Sequence, residues 1–303
     1  MNFDFLADLA EEITRLLQEG DLVVPEYEQL RSQDKRSEEL KNKIQHYDLE
    51  NLLVHFFTVN FRRVPTANWN THISNKLQGR NEILDIVEKL ESGEDVNNFL
   101  SSKVKKLNQA KNSDLLRSEW GIHHLHFKES RSKDLLFVYF NESDAYLIDI
   151  LPHEKSDGSV VTWTNTNLIQ IIHDNWPHLI EPYIYKTNSD APVLMTEQRR
   201  ALRKRAANTN IVVSDGTEYV PLGGGFSPSK HPVLAVTQSN FLLLTVKNIQ
   251  ADIEENHIAV KQALADHTSE PTLKLKLDGD FQPLIVEAGN NILINLHPSE
   301  VTA

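Results

Sequence analysis

The chain has no cysteine among its 303 residues. Disulfides, thiolate metal sites and a cysteine nucleophile are therefore excluded. A basic excess is missing too: 43 acidic residues outnumber 31 lysines and arginines, for a formal net charge of −12. That balance argues against a protein that coats nucleic acid along its whole surface, but leaves room for a local basic site. No run of about 18 apolar residues occurs, so no membrane span is expected. The opening Met1-Asn2-Phe3-Asp4-Phe5 has neither a basic nor an apolar leader segment, which points to a cytoplasmic protein. There is no Gly-x-Ser-x-Gly elbow, no Gly-Lys-Ser/Thr phosphate loop, no dinucleotide glycine fingerprint and no zinc-protease motif. Nothing repeats at a fixed period, so a solenoid is not expected.

What is present is enough apolar material, 40% of residues, to bury a real core. The patterning gives an α+β chain in three parts: a helical region over 1–112, a histidine-rich α+β unit over 113–187, and a mixed α+β unit over 188–303. In the first part Phe5, Leu6, Leu9, Ile13, Leu16 and Leu17 fall on one helical face, ended by Gly20 and Pro25. From Tyr27 to Tyr47 the chain is mostly charged, as a solvent-facing helix or partner-binding arm would be. Leu49, Leu52, Leu53, Phe56 and Phe57 start a more buried helix. Ile83, Leu84, Ile86, Val87 and Leu90 mark another, stopped by Gly93.

At Trp120 the period changes from helical to alternating. Gly121–Phe127, Asp134–Phe140 and Ala145–Leu151 read as three strands, the last two joined by a hairpin at Asn141–Asp144. Leu168, Ile169, Ile171 and Ile172 then return to helical spacing. In the last part, Leu273, Leu275 and Leu277 alternate with Lys274 and Lys276 as a half-buried strand. Residues 250–303 carry nine acidic and three basic side chains, a poor nucleic-acid surface.

Six of the thirteen histidines lie between His123 and His178. Alternation puts His124 and His126 on one strand face, with Leu125 and Phe127 on the other beside His123. On the third strand Leu147, Asp149, Leu151 and His153 share a face if no bulge intervenes. His124, His126 and His153 are the candidates for acid–base work, since an imidazole near pKa 6.5 both gives and takes protons. Arg131 and Lys133, in the loop between the first two strands, would stabilise negative charge on a phosphate. Cleavage of RNA at its 2′-hydroxyl needs such a set. Two readings stand beside it. His124-x-His126-x-x-Glu129 is loosely similar to the metal motif of cupins, though its spacing and glycines differ. Strand histidines also serve as hydrogen-bonded structural residues, as is expected of His123, while His173 and His178, in or beside an amphipathic helix, are expected to be structural or surface residues.

The order of a helix ending near Trp120, a strand, a basic loop and a two-stranded hairpin resembles the core of RelE-type messenger-RNA interferases. The resemblance covers about 60 residues by pattern alone. It implies a metal-independent endoribonuclease without cofactor, with Arg131 and Lys133 at basic positions and His153 at the end of the third strand. The partners it implies are RNA, an antitoxin or other protein, and a second copy of the chain. A toxin or phage-defence setting would follow. The other two readings are a non-catalytic binding module and a metal-dependent enzyme.

Two further stretches stand out. Arg199, Arg200, Arg203, Lys204 and Arg205 form the densest basic patch, and their four-residue spacings would make a cationic stripe for nucleic acid on a helix. Gly223-Gly224-Gly225 lies between prolines with no obvious helix after it, and reads as a flexible surface loop rather than a phosphate cradle.

Overall fold

The computed structural model describes residues 2–24, 38–101, 104, 114–128, 132–153, 162, 164–186 and 193–294. It has the α+β character expected. Its contacts group residues 58–236 into one unit, and residues 1–57 with 237–303 into another. The boundaries expected after 112 and 187 both fall inside the first of these.

The core of the 58–236 unit is a four-stranded sheet. Its strands are β1 (Asn70–Ile73), β2 (Ile122–His126), β3 (Asp134–Asn141) and β4 (Asp144–Pro152), in the order β1-β4-β3-β2. β2, β3 and β4 run antiparallel, as the sequence indicated, with a tight turn at Glu142–Ser143. β1 joins parallel to β4, a strand that the pattern does not announce. Its Asn-Thr-His-Ile is short and polar, with no alternation to betray it.

Both faces of the sheet are covered. On one, Ile122, Leu135, Phe137, Tyr146 and Ile148 pack with Leu116, Trp120 and the apolar stripe Leu168, Ile169, Ile171 and Ile172. On the other, Leu125, Leu136, Val138, Ala145 and Leu147 meet Trp69, Ile83, Ile86, Leu90 and Phe99. Each buried Leu or Ile side chain contributes about 1.5–3 kcal/mol. The Leu84–Ser92 helix, assigned by sequence to a separate helical region, is thus a cover of the central sheet. It stops where Gly93 takes the left-handed conformation, φ 76°.

In the other unit, the Phe5–Glu19 helix is capped by Asp4, whose carboxylate accepts the Ala7 N–H at 3.0 Å. It buries Phe5, Leu9, Ile13 and Leu17, leaving Leu6 and Leu16 at the edge of the stripe. Strands β7 (Leu273–Leu277), β8 (Pro283–Glu287) and β9 (Ile292–Ile294) form an antiparallel meander; β5 (Ile211–Val212) and β6 (Glu218–Tyr219), two residues each, pair as a short hairpin in the 58–236 unit. Leu273 and Leu275 are buried while Lys274 and Lys276 are exposed. Asp8 is buried, accepting Lys274 Nζ at 2.6 Å and the Leu275 N–H at 3.0 Å. The Glu38–Arg62 helix is continuous, where the charge pattern suggests an arm followed by a separate buried helix. The first part of that arm, up to residue 37, lies outside the described residues.

Candidate active site at the end of the central sheet

β2 brings His124 and His126 onto the covered face that holds Ile122, and each meets a different fate. His124 Nδ1 lies 3.1 Å from Asp114 Oδ2. The other oxygen of Asp114 caps the Leu115–Trp120 helix, accepting the N–H groups of Leu116 and Arg117 at 3.0 and 3.1 Å. Burial pushes the Asp114 carboxyl up, but the charge and hydrogen bond of His124, the charge of Arg62 and the Arg117 amide outweigh it. The net effect holds the group well below the usual carboxylate range. His124 is therefore part of a buried polar joint between strand and helix.

His123, on the opposite face, is buried edge-on to Phe140 at 5.1 Å and accepts from Arg117 Nε at 3.2 Å. Burial and the Arg117 charge hold its pKa well below 6.5. Arg117 itself lies 3.9 Å over the Phe61 ring, and burial lowers its pKa to about 10.

His126 is only 6% exposed. Its Nδ1 lies 3.3 Å from both the amide nitrogen and the hydroxyl of Ser132. The Ser132 hydroxyl donates to the Asp134 carbonyl and accepts the Phe127 N–H, so it ties the two strand ends together behind the ring. A backbone N–H can only donate; the neutral His126 ring therefore holds its proton on Nε2. His153 follows the last residue of β4, its N–H donating to the Lys133 carbonyl at 2.8 Å. Its exposed ring stacks on His126 with centroids 6.5 Å apart and planes 21° apart. Two histidines 27 positions apart in sequence are thus brought face to face at one end of the sheet. Lys133 is exposed beside them. Arg131 and Glu129 lie outside the described residues.

Asp149 does not join them. A bulge shifts the register so that Val138 pairs with Leu147 but Phe137 pairs with Asp149. Leu147 therefore packs on one face while Leu151 packs on the other, which breaks the common face expected for the third strand. Asp149 sits two strands from His124 with Phe137 between them, about 10 Å away. Burial raises its pKa, against the pull of Lys76 and Arg80.

The basic stripe is also corrected. On the Thr196–Lys204 helix, Arg203 is 8% and Arg199 3% exposed, so neither faces solvent. Arg203 Nε and Nη2 both bind Glu119 Oε2, at 3.0 and 2.5 Å, and Glu119 Oε1 accepts the Thr209 N–H. Lys204 and Arg205 are exposed and Arg200 is half-buried. Gly223-Gly224-Gly225 is neither cradle nor loose loop. Gly223 and Gly225 donate to the carbonyls of Glu119 and Ser118, satisfying the end of the Leu115–Trp120 helix.

Polar groups that sequence reasoning missed include Asp114 and Glu119, the acidic partners of His124 and Arg203. His72, whose Nε2 meets Asp144 at 2.7 Å and whose ring stacks on Tyr146, was missed as well. Only the cap position of Asp114 before an apolar helix was a usable signal. His173 is a structural link as expected, with Tyr219 at 2.7 Å on one nitrogen and Asp215 at 3.3 Å on the other. Among the described residues no group of three or more histidine or carboxylate side chains could hold a metal ion, and no helix is long and apolar enough to cross a membrane. Comparison of the chain with protein-family models, with curated proteins and with solved structures finds no match.

Proposed function

We propose that the His126–His153 end of the central sheet is an acid–base site that cleaves cytosolic RNA without a metal. The observation that carries this reading is the stacked pair of imidazoles, one on β2 and one just past the end of β4, the second exposed. In such a reaction the 2′-hydroxyl gives its proton to a base and attacks phosphorus. The 5′-oxygen leaves with a proton from an acid, and a 2′,3′-cyclic phosphate remains. The acid of the pair must be an imidazolium, because a neutral ring that gave up its Nε2–H would become an imidazolate; His126 and His153 are proposed as the acid–base pair without a division of the two roles between them. Lys133 and Arg131 would supply positive charge to the phosphorane, and Lys204 and Arg205 further phosphate contacts. The order of helix, strand, basic loop and hairpin supports the same reading. An antitoxin or a second copy of the chain would be its protein partner.

The test is incubation of the full chain with total cellular RNA in EDTA, beside His153→Ala and His126→Gln. Cleavage should persist in EDTA and fall by about a hundredfold or more in His153→Ala, with its melting temperature unchanged. Cleavage undiminished in that variant, or none by the folded protein, would sink the proposal. Loss of cleavage in EDTA would move the same histidines into a metal site.

A second reading is favoured by one observation, the near-complete burial of His126 against Ser132. In that reading the pair is structural and the domain binds its partner without chemistry. Binding of RNA with no cleavage under any condition would establish it.

A further inference from the structure

Away from the histidine pair, the 58–236 unit contains a cavity of about 570 Å³, within the range of small-molecule sites. Arg199 lines it, together with Val193, Leu194, Met195, Val212 and Glu218. The state of Arg199 is unusual. Two arginines one helical turn apart are buried here, but the nearby carboxylate accepts hydrogen bonds from only one of them. Both oxygens of Glu119 are taken, one by Arg203 and one by the Thr209 amide. Arg199 has Nη1 bonded to the Asn210 carbonyl and its charge 5.8 Å from the Trp120 ring centroid. Among the described residues its buried Nε has no hydrogen-bond partner, and the ion pair formed there belongs to Arg203 and Glu119.

The charge of Glu119 reaches Arg199, but burial outweighs it and lowers the guanidinium's pKa. A buried guanidinium with no carboxylate bonded to it is expensive, and a neighbouring cavity is where one would sit. The rest of the lining narrows the chemistry. Val193 and Met195 are 61% and 70% exposed, large apolar side chains kept at the surface. With Leu194 and Val212 they would cover an apolar body. Among the described residues Arg199 is the one cation of the lining and Glu218 is an acid, so a phosphate or other dianion is disfavoured. We propose that this cavity binds a small organic monocarboxylate with an apolar body, its carboxylate paired with Arg199.

Titration calorimetry on the full chain tests this with isocaproate and phenylpropionate, each against its neutral amide, and with inorganic phosphate. At least one acid should bind saturably, its amide and phosphate about tenfold or more weaker. Arg199→Gln should abolish binding. Because that variant risks the fold, Val193→Glu at the exposed rim is the second, and should weaken the acid by about tenfold with an unchanged melting temperature. Saturable binding of neither acid, equal binding of acid and amide, or preference for phosphate would overturn the proposal. None of these readouts depends on RNA cleavage.

Discussion

Arg203 and Glu119 show why a run of positive charge is a weak guide to a surface. Guanidinium is planar and can be satisfied inside a protein when a carboxylate and carbonyls meet its donors. Here Glu119 lies 84 positions away and supplies that partner. Arg203→Ala would leave Glu119 charged and buried, and should cost about 3–5 kcal/mol in urea unfolding. Arg203→Met combined with Glu119→Leu should recover most of the loss. A cost under about 1 kcal/mol for the single variant would mean that the pair is hydrated. The histidines teach the same lesson. Alternation places His124 and His126 on one face, yet Asp114 claims one and Ser132 the other. Neither partner is visible from strand periodicity.

At the scale of elements, the helix Leu115–Trp120 is short and depends on both its ends. Asp114 caps the start. At the other end Gly121 turns the chain with φ 70°, and the triglycine loop lies against the last carbonyls. A Cβ on Gly223 would fall 2.5 Å from the Ser118 carbonyl oxygen and 2.7 Å from that of Arg117. These are backbone atoms that cannot swing aside. Gly223→Ala should therefore destabilise by about 3 kcal/mol, the upper end for overpacking. Gly279→Ala, where no atom lies within 4 Å, should leave the melting curve unchanged and serves as control. Equal curves for the two would show that the loop is free to move off the helix. Strands β2, β3 and β4 and the hairpin were legible because their alternation is strong. The bulge in β4 was not: one extra residue changes the face of everything after it without changing the apolar pattern.

For the whole molecule, pH is the variable that reaches several buried groups at once. Burial holds His55, His123 and His231 below their ordinary pKa, so each is neutral in the fold. The unfolded chain takes up protons at these rings near pH 6.5, so it binds more protons than the folded one as pH falls. Stability is full above about 6.5, declines below it, and each contribution is lost once pH passes the folded value. Asp114 acts lower: its depressed carboxyl stabilises the fold above about pH 4 and loses that effect as pH falls further toward its folded value. Unfolding followed from about pH 7 to 5 should show a falling melting temperature and proton uptake on unfolding. A flat profile would mean that the three rings are already charged in the fold.

The α+β class, the antiparallel strands β2 to β4 and the covering helix Asn167–Asn175 were determined by local pattern. Period and turn chemistry act over a few residues and are written in the chain. The stacking of His153 on His126, the tie of His124 to Asp114, the burial of Arg199 and Arg203 and the entry of β1 into the sheet were decided only by the tertiary structure. Each depends on a partner brought in from elsewhere in the chain or on a register that the bulge resets. A charged or titratable side chain takes its role from whichever group the fold brings within about 3 Å of it, because solvation, hydrogen bonding and charge act at that range.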